Sequence, residues 1–293
     1  MRVATARAGL SGGQTLSACI GVAPFFTFAA LFLVAPTLFL VVGAFQDGDG
    51  GFTLRNLVNL AQPSILSAYW ISIKISAASA LLGGIAGFLL AHAAISGGLP
   101  AWLRPTLLTF SGVASQFAGV PLAFAFLATL GRTGLVTTLL AQLLGVNLYA
   151  SGFTLLSFWG LTLTYLYFQI PLMILILTPA LDGLRREWRE AADILGASAW
   201  QYWRWVALPV LWPSVLGAML LLFANAFGAV ATAYALTGSS LNIVTILLYA
   251  QISGDVLHDQ NLGYALALGM VLITGLSNGL YIWLRQRSDR WLR

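Results

Sequence analysis

The chain has 293 residues, of which 59% are hydrophobic and only 8% are charged, and its net charge is +5. A soluble domain carries about 25% charged residues, so this composition excludes an ordinary soluble protein. The few basic residues lie beside apolar segments, a pattern that is typical of membrane topology signals and does not indicate nucleic-acid binding.

Six apolar segments predict six membrane-spanning helices. They lie at 20–44, 68–95, 105–130, 153–180, 210–236 and 261–285. Several apolar runs exceed 18 residues, which is enough for a helix to cross roughly 30 Å of hydrocarbon. Backbone groups in lipid must be satisfied within the protein, so these segments are expected to be α-helices. The sequence therefore predicts an all-α membrane protein with six transmembrane helices.

The first span is expected to be retained as an anchor helix. It follows Arg2 and Arg7, which resemble the basic start of a signal peptide. Its apolar run is too long for a signal peptide, and no cleavage site of the usual small-residue type follows it. Residues 1–19, rich in Gly and Ser, are expected to form a cytoplasmic tail.

The distribution of basic residues predicts the orientation in the membrane. Eleven of the 14 fall on alternate loops: Arg2, Arg7, Arg104, Arg185, Arg186, Arg189, Arg204, Arg285, Arg287, Arg290 and Arg293. The opposite loops hold only Arg55 and Arg132, and Lys74 lies in the second span. The arginine-rich side is expected to be cytoplasmic, which places both termini and the loop before residue 210 inside.

Several chemistries are excluded or disfavoured by the residues present. The single lysine, Lys74, has no glycine loop before it, so the chain cannot form its own ATP-binding P-loop. His92 and His258 are far apart, and Cys19 is the only cysteine, so a zinc site is not indicated. No acidic residue lies in the six predicted segments, which disfavours a proton- or sodium-driven carrier, although main-chain carbonyls can also bind sodium.

Between the fourth and fifth spans, a polar stretch predicts a helical hairpin. Residues 184–195 fit an amphipathic helix, and Gly196 allows the positive φ that would end it. A second short helix is expected over 199–206, and Pro209 marks the start of the next span. By these signals alone, the hairpin could be an ordinary interfacial connection or a docking surface.

Residues 190–209, "EAADILGASAWQYWRWVALP", resemble the EAA loop of permease subunits in bacterial binding-protein-dependent ABC importers. The family pattern is E-A-A, three residues, G, nine residues, a branched apolar residue, one residue, then L-P. The matching positions are Glu190, Ala191, Ala192, Gly196, Val206, Leu208 and Pro209. The one departure is Val206, where isoleucine is commoner in the family.

The resemblance implies a domain organisation and a solute class. It covers 65–285 as the five-helix permease core, after a first helix and outer loop at 20–64 and before a basic tail at 286–293. Residues 117–134 and 224–255 look like the polyamine, ferric-iron, sulfate and aminoethylphosphonate branch. This likeness favours a polyamine or a similar small polar organic solute.

The resemblance also implies the partners and the role of the loop. The chain would be a non-enzymatic subunit of the bacterial inner membrane, paired with a second permease, most simply a different chain. An extracytoplasmic binding protein would deliver solute, and two ATPase subunits would hold ATP and Mg²⁺, with no cofactor on this chain. Glu190 would contact the ATPase, Ala191 and Ala192 would permit close approach, and Gly196 would set the hairpin angle. Leu208 and Pro209 complete the motif.

Polar residues in spans three to five are candidates for the solute pathway. They are Gln116, Gln169, Asn225, Thr232 and Tyr165. Asn, Gln and Thr inside bundles also form interhelical hydrogen bonds worth about 0.6–2 kcal/mol, so both roles stay open. The glycines in "GGIAG" (83–87) and "GLSNG" (275–279) predict close helix packing. A self-contained secondary carrier or a polytopic membrane enzyme is the alternative function.

Overall fold

The computed structural model describes residues 12–96, 100, 102–150, 152–253 and 259–289. The α-helices in chain order are α1 (Gly12–Ala29), α2 (Ala35–Ala44), α3 (Arg55–Asn59), α4 (Pro63–Ser96), α5 (Leu103–Gln116), α6 (Val120–Leu130), α7 (Leu135–Leu144), α8 (Phe158–Asp182), α9 (Arg186–Ile194), α10 (Ala199–Tyr202), α11 (Leu208–Phe227), α12 (Val230–Thr237), α13 (Val244–Ser253) and α14 (Gln260–Asp289). Short π-helical turns join α1 to α2 at Ala30–Val34 and α10 to α11 at Trp203–Ala207.

Within the described ranges, six helical stretches are long and apolar enough to cross a membrane. They are Gly21–Ala44, Pro63–Ile95, Val120–Leu144, Phe158–Asp182, Ala199–Phe227 and Gln260–Trp283. This confirms the all-α class and the number of spans. The orientation relative to the membrane still rests on the distribution of basic residues and stays a prediction.

The predicted limits of the third and fifth spans are wrong. The segment 105–130 is two helices, α5 and α6, because the chain breaks at 117–119, and the apolar stretch runs on through a turn to Leu144. The fifth span begins at Ala199 and ends at Phe227, where a break precedes α12. Hydropathy does not detect these breaks because apolar residues continue through both.

The centre of the bundle is the pair formed by α4 and α8. A Cβ added at Gly83 would lie 2.6 Å from Cβ of Gln169, and one at Gly87 would lie 2.6 Å from Cβ of Met173. The residue numbers of the contacting positions increase together, from 83 and 169 to 87 and 173, so α4 and α8 run in the same direction. The 83–87 glycines therefore allow the predicted close packing, whereas Gly275 and Gly279 have nothing within 4 Å of an added Cβ.

Helix α5 runs antiparallel to α8 and ends near its middle. Arg104, at the start of α5, lies beside Asp182 at the end of α8. At the other end, the rings of Phe117 and Tyr167 are 5.9 Å apart. Because α8 spans Phe158–Asp182, the break after α5 falls close to the middle of the bundle.

Candidate functional site

The first arm of the hairpin, α9, ends in a glycine turn with both of its closing hydrogen bonds formed. Gly196 has a φ of +74°, as expected of the predicted turn. Its N–H donates to the Asp193 carbonyl at 3.0 Å, and the Ala197 N–H donates to the Ala192 carbonyl at 2.9 Å. These are the two bonds of a Schellman motif, which satisfies the last carbonyls of a helix.

The second arm is continuous with the fifth span. Ser198 begins it with a capping box, in which its hydroxyl accepts from the Gln201 N–H at 3.3 Å and its N–H donates to Gln201 Oε1 at 2.7 Å. The helical stretch Ala199–Phe227 has 29 residues, which at about 1.5 Å each gives a length of roughly 43 Å. Displacement of the hairpin tip would therefore displace the fifth span directly.

A small apolar seam holds the two arms together. Ala192, Tyr202 and Ala207 are buried against each other. The Arg189 guanidinium lies 5.1 Å from the centre of the Tyr202 ring and covers the seam from outside. Ala192 therefore permits close approach of the two arms of the hairpin, and its side chain is not available to an outside partner in this conformation.

The outward side of the hairpin presents both charge and apolar surface. Glu190 and Ala191 are exposed, and among the described residues Glu190 forms no ion pair. Ile194 and Leu195, at the tip, are each 85% exposed. Burying such a side chain is worth about 1.5–3 kcal/mol, so this pair favours docking against another protein. No contact is predicted for these two residues from the sequence, although their position as an apolar pair beside the turn glycine was a visible signal.

A groove of about 620 Å³ lies beside the seam, between the two arms. Its lining comprises Trp188, Ala191, Ala192, Leu195, Ala197, Gln201, Tyr202, Trp205, Val206, Pro209 and Val210. The predicted motif residues thus separate by position: Ala191 and Pro209 line the groove, Leu208 is half-buried, and Gly196 forms the turn.

Among the described residues, side-chain contacts join the hairpin and its base to the rest of the bundle, and Leu184 and Trp203 pack against the buried cluster of α4, α8 and α11. The Trp203 ring, in the second arm, lies 4.3 Å from the His92 ring and 6.2 Å from the Phe88 ring of α4. At the base of the first arm, Asp182 accepts a hydrogen bond from Arg104 of α5 at 2.5 Å. The hairpin is therefore in contact with α4 through its second arm, while the Arg104–Asp182 pair joins α5 to the end of α8, which leads into the first arm.

The two breaks in the bundle meet, and side chains of α12 and α8 satisfy backbone groups at the breaks. Gly119 adopts φ +77° and ψ −150°, and its N–H donates to the Thr232 hydroxyl at 2.7 Å. The Tyr165 hydroxyl donates to the Ala229 carbonyl at 3.0 Å, beside the break before α12. Irregular backbone at membrane depth is tolerated only where such groups find partners within the protein or in water.

The structure divides the five predicted pathway residues into two groups. Tyr165, Gln169 and Thr232 are buried and form hydrogen bonds within the chain; Gln169 donates to the Leu222 carbonyl at 3.0 Å. The Tyr165 and Thr232 hydroxyls and the Gln169 amide nitrogen join helices, whereas Gln169 Oε1 is buried with no hydrogen-bond partner among the described residues. Gln116 and Asn225 are exposed, and each lies just before one of the two breaks.

Residues 83–293 match the family described as the binding-protein-dependent transport system inner membrane component. The sulfate transport system permease protein CysW of Escherichia coli (strain K12) is 27% identical over 212 residues, which cover 72% of this chain and 68% of the relative. The spermidine/putrescine transport system permease protein PotB of Haemophilus influenzae is 25% identical over 265 residues, covering 88% of this chain and 90% of the relative. A bacterial ABC transporter involved in the import of the acidic polysaccharide alginate has a chain that matches with a TM-score of 0.73 at 16% identity, over 95% of this chain and 96% of that one.

Proposed function

The chain belongs to the binding-protein-dependent transport system inner membrane component family, and we propose that its hairpin at 187–209 couples ATP hydrolysis on separate subunits to solute import. The observation that carries this proposal is the hairpin itself. It bears the EAA motif, has an exposed apolar tip at Ile194 and Leu195, and is continuous with the fifth span.

Two ATPase subunits would bind this hairpin and its counterpart on a second permease subunit. When ATP draws the ATPases together, force on the tip moves the rigid second arm and tilts the fifth span. Access to the solute pathway then alternates between the two sides of the membrane. No covalent chemistry occurs on this chain, and ATP and Mg²⁺ stay on the ATPases.

The proposed solute pathway follows the surface where the two breaks meet. Gln116 and Asn225 are exposed there and can offer amide groups to a polar solute. Tyr165 and Thr232 hold the broken helices beside them. An ion-coupled carrier is not favoured. The acidic residue that lies within the described spans is Asp182, which is the last residue of its helix and pairs with Arg104.

We propose a small polar solute, with a polyamine as the first candidate and sulfate as the second. Both classes occur in the names of relatives that match this chain. The test is the thermal stability of the cognate binding protein with spermidine, putrescine, sulfate, molybdate, thiamine or ferric ion. A rise in melting temperature with spermidine or putrescine alone supports the first candidate, whereas a rise with another solute alone overturns it.

Docking of the ATPase is tested by purification of the tagged chain from membranes. We expect an ATP-binding subunit to co-purify, and the Ile194→Ser/Leu195→Ser variant to lose it. Leu143→Ser/Leu144→Ser is a matched control, because these leucines are also exposed at a helix end and precede a positive-φ glycine, Gly145. Equal recovery of the ATPase with both variants would contradict docking at the hairpin tip.

A further inference from the structure

The ion pair between Arg104 and Asp182 joins the end of α8, just before the hairpin, to a helix far from it in sequence. Asp182 ends α8, four positions before α9 begins at Arg186, and Arg104 is the second residue of α5. Both side chains are 42% exposed. An exposed ion pair adds little to the stability of a fold, so its value here is in fixing the position of α5 relative to the hairpin base.

Helix α5 can carry a displacement of Arg104 to the middle of the bundle. Its Leu107 and Leu108 pack against a cluster of buried residues from α4, α8 and α11, and the helix continues without a break to Gln116. A helix held by its internal hydrogen bonds moves as a unit, so the far end follows the first turn. That far end leads directly into the break at 117–119.

The break has the properties of a hinge. The backbone of Gly119, at φ +77° and ψ −150°, lies in a region that is essentially restricted to glycine. Its N–H is held by Thr232, so α6 and α12 are joined at the same point. Bending at Gly119 would therefore move both of these helices beside the exposed Gln116 and Asn225.

The contact between the second arm and α4 does not lead to a break. Trp203 contacts His92 and Phe88 of α4, and α4 is a continuous helix from Pro63 to Ser96. Force on this contact would displace α4 as a whole. The second arm also runs on through α11 to the break after Phe227, but Gly228 there has a φ of −88°, whereas Gly119, at the end of the route through α5, has a φ of +77°.

We propose that Arg104 and Asp182 are positioning residues that transmit movement of the hairpin through α5 to the hinge at Gly119. This inference rests on the proposed function of the hairpin as the receiver of ATPase motion. The ion pair makes α5 follow the base of the hairpin, and the hinge converts that movement into a change of angle between α5 and α6.

The angle between α5 and α6 can be measured with spin labels on either side of the hinge. Val113 on α5 and Phe124 on α6 are exposed and suitable for cysteine substitution in a Cys19→Ser background. The tagged chain is purified with its co-purifying ATPase, placed in lipid nanodiscs, and measured with no nucleotide and with ATP plus vanadate. We expect the distance distribution to shift with nucleotide in the otherwise unaltered chain.

Charge reversal then tests the ion pair. Arg104→Asp and Asp182→Arg are each expected to remove the shift while the ATPase still co-purifies, and the double exchange is expected to restore it. Arg104→Lys should retain the shift. Arg104→Gln should reduce the ratio of the nucleotide-shifted distance population to the nucleotide-free one by up to about fivefold. This factor corresponds to about 1 kcal/mol.

Three results overturn the inference: an unchanged shift in both single reversals, no restoration in the exchanged pair, or no shift in the unaltered complex with its ATPase bound. Failure of the proposed function looks different, because the ATPase would then not co-purify with the unaltered chain at all.

Discussion

Replacement of Gly196 by alanine tests whether the geometry of the hairpin, and not only its presence, couples ATP hydrolysis to transport. Gly196 has a φ of +74°, and an added Cβ would meet nothing within 4 Å. The cost is therefore that of the backbone conformation alone, about 1–2 kcal/mol for an L-residue. This is a small part of a folding free energy of about 5–15 kcal/mol, so the chain should still fold.

The same cost is large for the turn itself. It changes the equilibrium constant of the turn about 5- to 30-fold in favour of conformations in which the Ala197 N–H no longer reaches the Ala192 carbonyl. The two arms would then no longer meet at a fixed angle. We expect the ratio of solute imported to ATP hydrolysed to fall in proteoliposomes, with the solute identified by the binding-protein melting assay, while assembly with the ATPase persists.

Two variants control this experiment. Gly196→Asn should couple better than Gly196→Ala, because asparagine enters the left-handed region at lower cost. Gly145→Ala places the same strain at a second open turn, where φ is +66°, and should lower thermal stability similarly without changing the import ratio. The reasoning is refuted if Gly196→Ala couples as well as the unaltered chain, or if Gly145→Ala reduces the ratio equally.

Three further substitutions test other parts of the structure. Glu190→Arg reverses an exposed charge, so it should reduce co-purification of the ATPase without lowering the melting temperature; equal recovery would remove Glu190 from the interface. Thr232→Val leaves the Gly119 N–H without its partner and should destabilise the protein by about 0.6–2 kcal/mol in thermal unfolding; an unchanged melting temperature would show that this bond is not needed. Gly87→Val would bring Cβ to 2.8 Å from the Ile170 carbonyl oxygen and should abolish accumulation of folded protein in membranes, whereas Gly275→Val, with open space around it, should accumulate normally.

Local signals in the sequence were sufficient for the class of protein and for the hairpin. Length and hydropathy predict helices in lipid because a helix satisfies its own backbone without help from distant residues. The hairpin was predictable for a similar reason. The hydrogen bonds that close it, at Gly196 and Ser198, join residues at most five positions apart.

Among the small residues, only the tertiary structure distinguished the two glycine clusters. The sequence predicts close packing at both 83–87 and 275–279. In the structure Gly83 and Gly87 face α8, while Gly275 and Gly279 face open space. A glycine permits close approach but does not specify which helix will approach it, and the sequence of one span carries no record of its neighbour.

The breaks in the third and fifth spans were likewise decided by contacts between distant residues. An interrupted helix leaves backbone groups that must be bonded elsewhere, and here the partners are remote: Thr232 is 113 positions from Gly119, and Tyr165 is 64 from Ala229. Through these contacts Tyr165 and Thr232 join helices, whereas Gln116 and Asn225 are exposed. Hydropathy measures how well a segment tolerates lipid, which is a local property. Where a membrane helix can break depends on what the folded bundle places beside it.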